Sequence, residues 1–300
     1  MVRGSRVFRP LVSRFIAGDT LEEAIQACQG VVAGGIRVTL DYLGENTANE
    51  AEARAAIETY KAMLERIRSI PAFAEYQAED PRLPRDPFNI SIKLTQCGLD
   101  QGEAFAEANY REVLGVAQAA GNFVRIDMEA SDYTDRTIKM IERVFPDFKN
   151  TGTVLQSYLY RNDEDVERMI ALGARVRLVK GAYLEPASVA HPEKSKVDEA
   201  YVRQGKRLLK DGFYPAMATQ DEAIITELKA FVAAEKIDPQ SFEWQMLYGV
   251  RRDLQDSLKK EGFNVRVYVP FGDSWYPYFT RRLAERPANM MFIAKSLFKG

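Results

Sequence analysis

The chain has 300 residues, 46% of them hydrophobic, with 41 Lys plus Arg against 43 Asp plus Glu. That is ample for a large core, while a net charge of −2 offers no general attraction to nucleic acid or to an anionic membrane surface. Cys28 and Cys97 stand far apart and His191 is the single histidine; this argues against a disulfide framework, a cysteine-rich zinc site and most other metal sites, and makes a Ser-His-Asp triad a poor candidate. The apolar runs are too short to cross a bilayer, and the basic start, Met1 to Pro10, lacks the apolar core of a signal peptide. A cytoplasmic protein is the expectation.

Short β-branched or apolar runs begin at about Ile36, Phe88, Phe123, Thr153, Arg175, Phe213, Phe242 and Val265. Stretches with helical periodicity separate them, such as Val166, Met169, Ile170 and again Ile224, Leu228, Phe231, Val232. Gly35, Gly121, Gly152, Gly173, Gly212 and Gly262 lie near the following strand, where a helix end feeding a strand needs a left-handed residue. This alternation predicts an α/β fold, a (β/α)8 TIM-type barrel forming one domain over 1–300, with residues 1–33 as a helical segment packed at one end. An open doubly wound sheet is the rival, but its Gly-x-Gly-x-x-Gly fingerprint is absent. The proline-bearing stretch from Pro71 to Pro87 reads as a long irregular connection.

Barrel enzymes place their chemistry where strands end. The polar residues expected there are Lys93, Asp127 with Glu129, Gln156 with Tyr158, Arg177 with Lys180, Thr219, Glu243 with Gln245, and Tyr268. Asp127 and Glu129 share a strand face on paper and can pair with Lys93 or Arg177, either as a structural ion-pair network or in catalysis. Gln156 has both the donor and the acceptor to meet a flat heterocycle, and Thr219-Gln220 offers donors to a phosphate or ribose. The strand Arg177-Leu-Val-Lys180 emits Gly181-Ala182, which leaves room for backbone to approach a ligand; Lys180 alone is as readily a structural ion pair. His191 reads as an exposed loop residue.

Towards the C-terminus, Asp273 or Ser274 is placed to cap a helix with Pro277 in its first turn. On that helix Tyr278, Arg281, Arg282 and Glu285 share one face. Two arginines beside an aromatic ring suit a carboxylate with an apolar body, and Glu285 is placed to hold Arg281. The alternative is a solvated basic face, which the added charge of Arg286 makes less balanced.

Together these strings resemble the proline dehydrogenase family in its short, monofunctional bacterial form. The resemblance runs from Arg14 to Asn289 and is carried by Thr39-Leu-Asp-Tyr-Leu-Gly-Glu45, Arg177 to Tyr183, Phe242 to Gly249, and the Arg281-Arg282 helix. It implies a distorted barrel whose last helix lies over the C-terminal ends of the strands, and FAD bound on the barrel itself. Met128, Gln156, Arg177, Val179, Lys180, Gly181, Ala182, Thr219 and Gln220 then fall at cofactor positions. Lys93, Tyr268, Leu247, Tyr278, Arg281 and Arg282 fall around L-proline, with Asp127 orienting Lys93 and Tyr268, and Arg177 near flavin N5. The implied partners are a quinone electron acceptor and a separate pyrroline-5-carboxylate dehydrogenase, with at most weak peripheral membrane association and no nucleic acid. Two other classes stand beside this one: a Schiff-base aldolase using Lys180 or Lys93, and a non-catalytic barrel that binds an anion.

Overall fold

In the computed structural model, residues 12–75 and 86–284 are described, without the side chains of 282–284. Eight parallel strands close on themselves in sequence order. They are β1 (Arg37–Tyr42), β2 (Phe88–Ile92), β3 (Val124–Ile126), β4 (Thr151–Gln156), β5 (Arg175–Val179), β6 (Ala216–Ala218), β7 (Glu243–Leu247) and β8 (Asn264–Phe271). The seam pairs Arg37 with Arg266 and Tyr42 with Phe271. This is the (β/α)8 barrel that the alternation of runs anticipates.

Helices return the chain from one strand to the next: α1 (Leu21–Ala33), α2 (Glu50–Arg68), the single turn α3 (Pro71–Ala74), α4 (Glu103–Ala119), α5 (Ser131–Val144), α6 (Asn162–Leu172), α7 (Lys194–Asp211), α8 (Glu222–Ala234), α9 (Arg252–Lys260) and α10 (Tyr276–Ala284). Their apolar stripes bury where the periodicity places them, with Val166 and Met169 inward on α6 and Ile224, Leu228 and Val232 inward on α8. α1 begins with a full capping box between Thr20 and Glu23. It lies against β1 and β8 on the barrel wall rather than across an end; Phe15 and Ile16, just before it, pack with Tyr278 and Phe279 instead.

Four of the six singled-out glycines are left-handed, at φ +78 (Gly35), +64 (Gly121), +75 (Gly173) and +90 (Gly262). The other two differ. Gly212 is extended, and Gly152 sits within β4, where a Cβ would come 2.2 Å from the Arg175 carbonyl oxygen, so bulk rather than dihedral freedom decides that position. β6 starts later than the run at Phe213 suggests. Tyr214 is left-handed, at φ +42, and Pro215 has no N–H to offer a ladder.

Alternation along each strand sends one residue set to the helices and the other to the axis. Barrels of this type ordinarily fill the axis with branched aliphatic layers. Here the floor is charged. Glu243, expected among the strand-end residues, is the first residue of β7 and fully buried. It accepts two hydrogen bonds from Arg266 Nε, at 3.0 and 3.1 Å. Arg266 also donates to the carbonyls of Val38 at 2.9 Å and Asp86 at 3.1 Å. Burial alone raises the Glu243 carboxyl, but Arg266 first, then Arg175, Arg37 and Arg125, bring it down to about 2. Beside them two guanidiniums lie over the Phe123 ring, Arg175 at 3.8 Å and Arg125 at 5.0 Å from its centre.

Candidate active site

Above this floor, at the C-terminal ends of the strands, lies a cavity of about 510 Å³, within the range of small-molecule sites. Every residue that the sequence singles out for substrate or cofactor, apart from Arg282, lines it: Lys93, Asp127, Met128, Gln156, Arg177, Val179, Lys180, Gly181, Ala182, Thr219, Gln220, Leu247, Tyr268, Tyr278 and Arg281. The side chain of Arg282 lies outside the described part of the structure, and so does Glu285. α10 starts at Tyr276, so neither Asp273 nor Ser274 stands at its cap. Its Tyr278 and Arg281 face the cavity, which puts the helix over the strand ends.

One polar chain runs from the mouth to the floor. The Tyr268 hydroxyl donates to Asp127 at 2.6 Å. Asp127 also accepts from Arg177 Nη1 at 2.7 Å, while Arg177 Nε donates to Gln245 at 2.6 Å and Nη2 to Ser91 at 3.2 Å. Gln245 in turn donates to Glu243 at 2.5 Å. Because Glu243 is an ionised acceptor, Gln245 must turn its amide towards it and its carbonyl towards Arg177. The guanidinium plane of Arg177, 5.0 Å from the Tyr268 ring centre, is thereby fixed on three sides.

Two pairings depart from the sequence reading. Lys93 donates to Asp41 at 2.8 Å, not directly to Asp127. Burial pushes the Lys93 ammonium towards neutrality, but Asp41 and then Asp127 outweigh it and hold it above its ordinary value. Burial raises Asp41 in turn, with Lys93 opposing. Asp41 was available to sequence reasoning, two residues beyond Thr39 on the inward face of β1, yet a lone Asp inside a hydrophobic run carries no obvious signal. The second departure concerns Asp127 and Glu129. β3 ends at Ile126, so strand alternation no longer governs them; Asp127 turns to the axis, while Glu129 binds Thr95 and takes no part in the lining.

Arg281 finds a carboxylate in Glu45, through two hydrogen bonds of 2.5 and 3.1 Å; the expected partner Glu285 lies outside the described residues. Its guanidinium carbon lies 5.2 Å over the Tyr183 ring. Glu45 and Tyr183 were both inside the quoted motifs without being assigned a place. On the other flank Lys180 donates to Asp198 at 2.5 Å and to Asp221 at 2.8 Å. Gln156 is oriented by donating to the Glu129 carbonyl at 2.9 Å. The Gln220 Oε1 atom is buried without a hydrogen-bond partner, and Gly181 is left-handed, at φ +122, with a virtual Cβ only 2.5 Å from the Tyr158 ring.

Among the described residues no cluster of metal-ligating side chains occurs, and no helix is long and apolar enough to cross a membrane. The proline dehydrogenase family model matches residues 24–295. Proline dehydrogenase 1 of Bacillus subtilis subsp. natto is 42% identical over 286 residues, covering 95% of this chain and 90% of the relative. Proline dehydrogenase of Deinococcus radiodurans is 40% identical, covering 97% and 91%. Among solved structures, proline utilization A (PutA) from Bdellovibrio bacteriovorus superposes with a TM-score of 0.83 at 24% identity, over 91% of this chain but only 32% of its own. That likeness shows the barrel fold, and this chain spans about a third of that longer protein. With a family model over most of its length and relatives at this identity across nearly all of both chains, the chain belongs to the proline dehydrogenase family.

Proposed function

We propose that this chain is a single-domain flavoenzyme that oxidises L-proline to 1-pyrroline-5-carboxylate, with FAD in the cavity and a quinone as electron acceptor. One observation carries the reading: a cation pair suited to a carboxylate, Lys93 and Arg281, meets the ring-sized apolar wall of Tyr268, Leu247 and Tyr278 in one cavity. The opposite wall suits a flavin nucleotide. Gln220 supplies a buried, unanswered oxygen, Gly181 keeps the backbone bare, and Met128, Gln156, Arg177, Val179, Lys180, Ala182 and Thr219 complete the holding set.

Lys93 and Arg281, joined by Arg282 on the same helix, bind the proline carboxylate by charge-assisted hydrogen bonds. Tyr268, Leu247 and Tyr278 enclose the ring and fix C5, and orientation of this kind supplies much of an enzyme's acceleration. FAD, when bound, supplies the acceptor for the hydride that leaves C5. The amine must lose its proton before or during that step. Lys93, kept charged by Asp41, and Arg177 both disfavour an ammonium beside them, while the Asp127 carboxylate is already occupied by Arg177 and Tyr268. Asp127 therefore orients Tyr268 and Arg177. Arg177, held by Asp127, Gln245 and Ser91, would supply the positive charge that a flavin needs beside it on accepting electrons.

The aldolase alternative needs an amine with a lowered pKa. Lys93 is shifted the other way, and Lys180 is bound between two aspartates. The product is expected to pass to a separate pyrroline-5-carboxylate dehydrogenase, and any membrane contact on the cytoplasmic side to be peripheral. Purified protein should be yellow, release FAD rather than FMN, and reduce an artificial acceptor with proline. A colourless protein that cannot be reconstituted with FAD overturns the proposal.

A narrower test uses Gly181→Ala. The added methyl meets the Tyr158 ring in a backbone conformation that costs an L-residue roughly 1–3 kcal/mol. The expected result is a folded protein with a reduced flavin-to-protein absorbance ratio. An unchanged ratio would remove the Lys180–Ala182 turn from the cofactor wall.

A further inference from the structure

One buried acid near the cavity has no place in this mechanism. Glu129 is 4% exposed. Its Oε2 accepts from the Thr95 hydroxyl at 2.6 Å and its Oε1 from the Thr95 backbone N–H at 3.2 Å. The same Thr95 Oγ1 accepts the backbone N–H of Asn46 at 3.1 Å, and the Thr95 carbonyl accepts the Thr47 hydroxyl at 2.8 Å. Asn46 holds a left-handed conformation, at φ +55, a bend that its surroundings must maintain. The residue immediately before it is Glu45, which occupies Arg281. A continuous line of hydrogen bonds and one peptide unit thus joins Glu129 to the arginine proposed to receive the substrate carboxylate.

We propose that Glu129 is a positioning residue for the anion-binding end of the cavity: acting through Thr95, it sets the seat of Glu45 and hence the availability of Arg281. The inference rests on the carboxylate clamp of the proposed function. The groups facing Glu129 are Lys93 at the end of β2, Glu45 after β1, Cys97 beyond Thr95, Tyr133 on α5 and Tyr183 after β5. Burial raises its carboxyl to about 7, against the Thr95 donors and Lys93, with Glu45 adding to the rise. Around neutrality it therefore changes state. As a carboxylate it accepts both Thr95 donors, holds the Asn46 turn and keeps Glu45 on Arg281. Once protonated it has a hydrogen to donate, and the near acceptor is Thr95 Oγ1, whose own hydrogen then loses its place. The Asn46 turn is held less firmly, and one negative charge near the clamp is gone. Both changes favour an incoming anion, so carboxylate affinity rises as pH falls through about 7.

The test is calorimetric titration of the protein as purified with cyclopentanecarboxylate, which keeps the ring and carboxylate of proline but has no amine to oxidise. Wild type is expected to bind roughly fivefold more tightly at pH 6.0 than at pH 8.5. Glu129→Gln, whose amide reproduces the protonated donor, should bind at both pH values as wild type does at pH 6.0. Thr95→Val, which cuts the line, should also lose the pH step, and Thr95→Ser should keep it. A flat wild-type profile, a step that survives in Glu129→Gln, or one that survives in Thr95→Val would each overturn the proposal, the first without reliance on any variant. Lack of proline turnover at every pH would instead defeat the proposed function, and the binding data separate the two failures.

Discussion

Replacing Arg266 by methionine is expected to destabilise the protein by about 3–5 kcal/mol, because it strands Glu243 as a charge with no water to receive it. Arg266 and Glu243 both have fully buried side chains, and methionine retains the stem's bulk, so lost packing contributes little. The same pair sets an acid dependence. Glu243 has its folded pKa depressed to about 2 from 4.5, so its contribution is complete above about pH 4.5 and lost as pH falls towards 2. That shift corresponds to roughly 3 kcal/mol. Urea unfolding of wild type should weaken across this window, whereas the Arg266→Met midpoint should be low at pH 7 and change less on acidification. The double variant Glu243→Gln with Arg266→Met should recover part of the loss, since the Glu243 charge is gone, but not all of it, because Asp86 still loses its ion pair with Arg266 at 3.4 Å. A loss below about 1 kcal/mol for the single variant would mean that water reaches the floor.

Arg281→Met is expected to lower apparent affinity for proline by about one to two powers of ten, from roughly 1.5–3 kcal/mol per charge-assisted hydrogen bond. The loss should appear chiefly in KM, with the flavin spectrum unchanged. Glu45 enlarges the effect. In the variant it keeps its charge without a partner, beside the carboxylate that the clamp is meant to hold. Adding Glu45→Gln to Arg281→Met should therefore restore part of the affinity, a recovery that a purely solvated helix face does not predict. Near-wild-type steady-state kinetics for Arg281→Met would place this helix outside the clamp.

The barrel was legible because its signals are periodic and local. Alternating strands, apolar stripes and left-handed glycines at Gly35, Gly121, Gly173 and Gly262 each report on a few neighbouring residues. The strand-end residues were legible for a related reason: once strands are placed, the barrel decides which ends converge, and Lys93, Arg177, Leu247 and Tyr268 meet as that geometry requires. Pairing was not legible. Asp41 with Lys93 and Glu45 with Arg281 join positions 52 and 236 residues apart, and no spacing rule connects them. Helical arithmetic sees only partners on the same helix, so it offered Glu285, which lies outside the described residues, and had no means of offering Glu45. Glu243 was misplaced for another reason: a charge at a strand's first residue and one at its last look alike until register is known. Glu129 was named beside Asp127 but not matched to Thr95, because alternation was carried past the end of β3.

The charged floor has a consequence for the order in which the chain is made. Asp86, Arg175 and Glu243 are all synthesised before Arg266, whose guanidinium reaches back to Val38 across 228 residues. Until β8 leaves the ribosome, the seven-stranded nascent sheet holds these carboxylates and guanidiniums on an open inner face, still wetted, and β1 and β7 each lack a neighbour on one side. Contacts of such long sequence separation are slow to form, and unpaired strand edges invite association with other chains. Charges on that inner face, Glu243 of the edge strand β7 among them, keep it hydrated while it waits. Their burial comes with the last strand, so the ionic lock at the floor and the closure of the cylinder are one event.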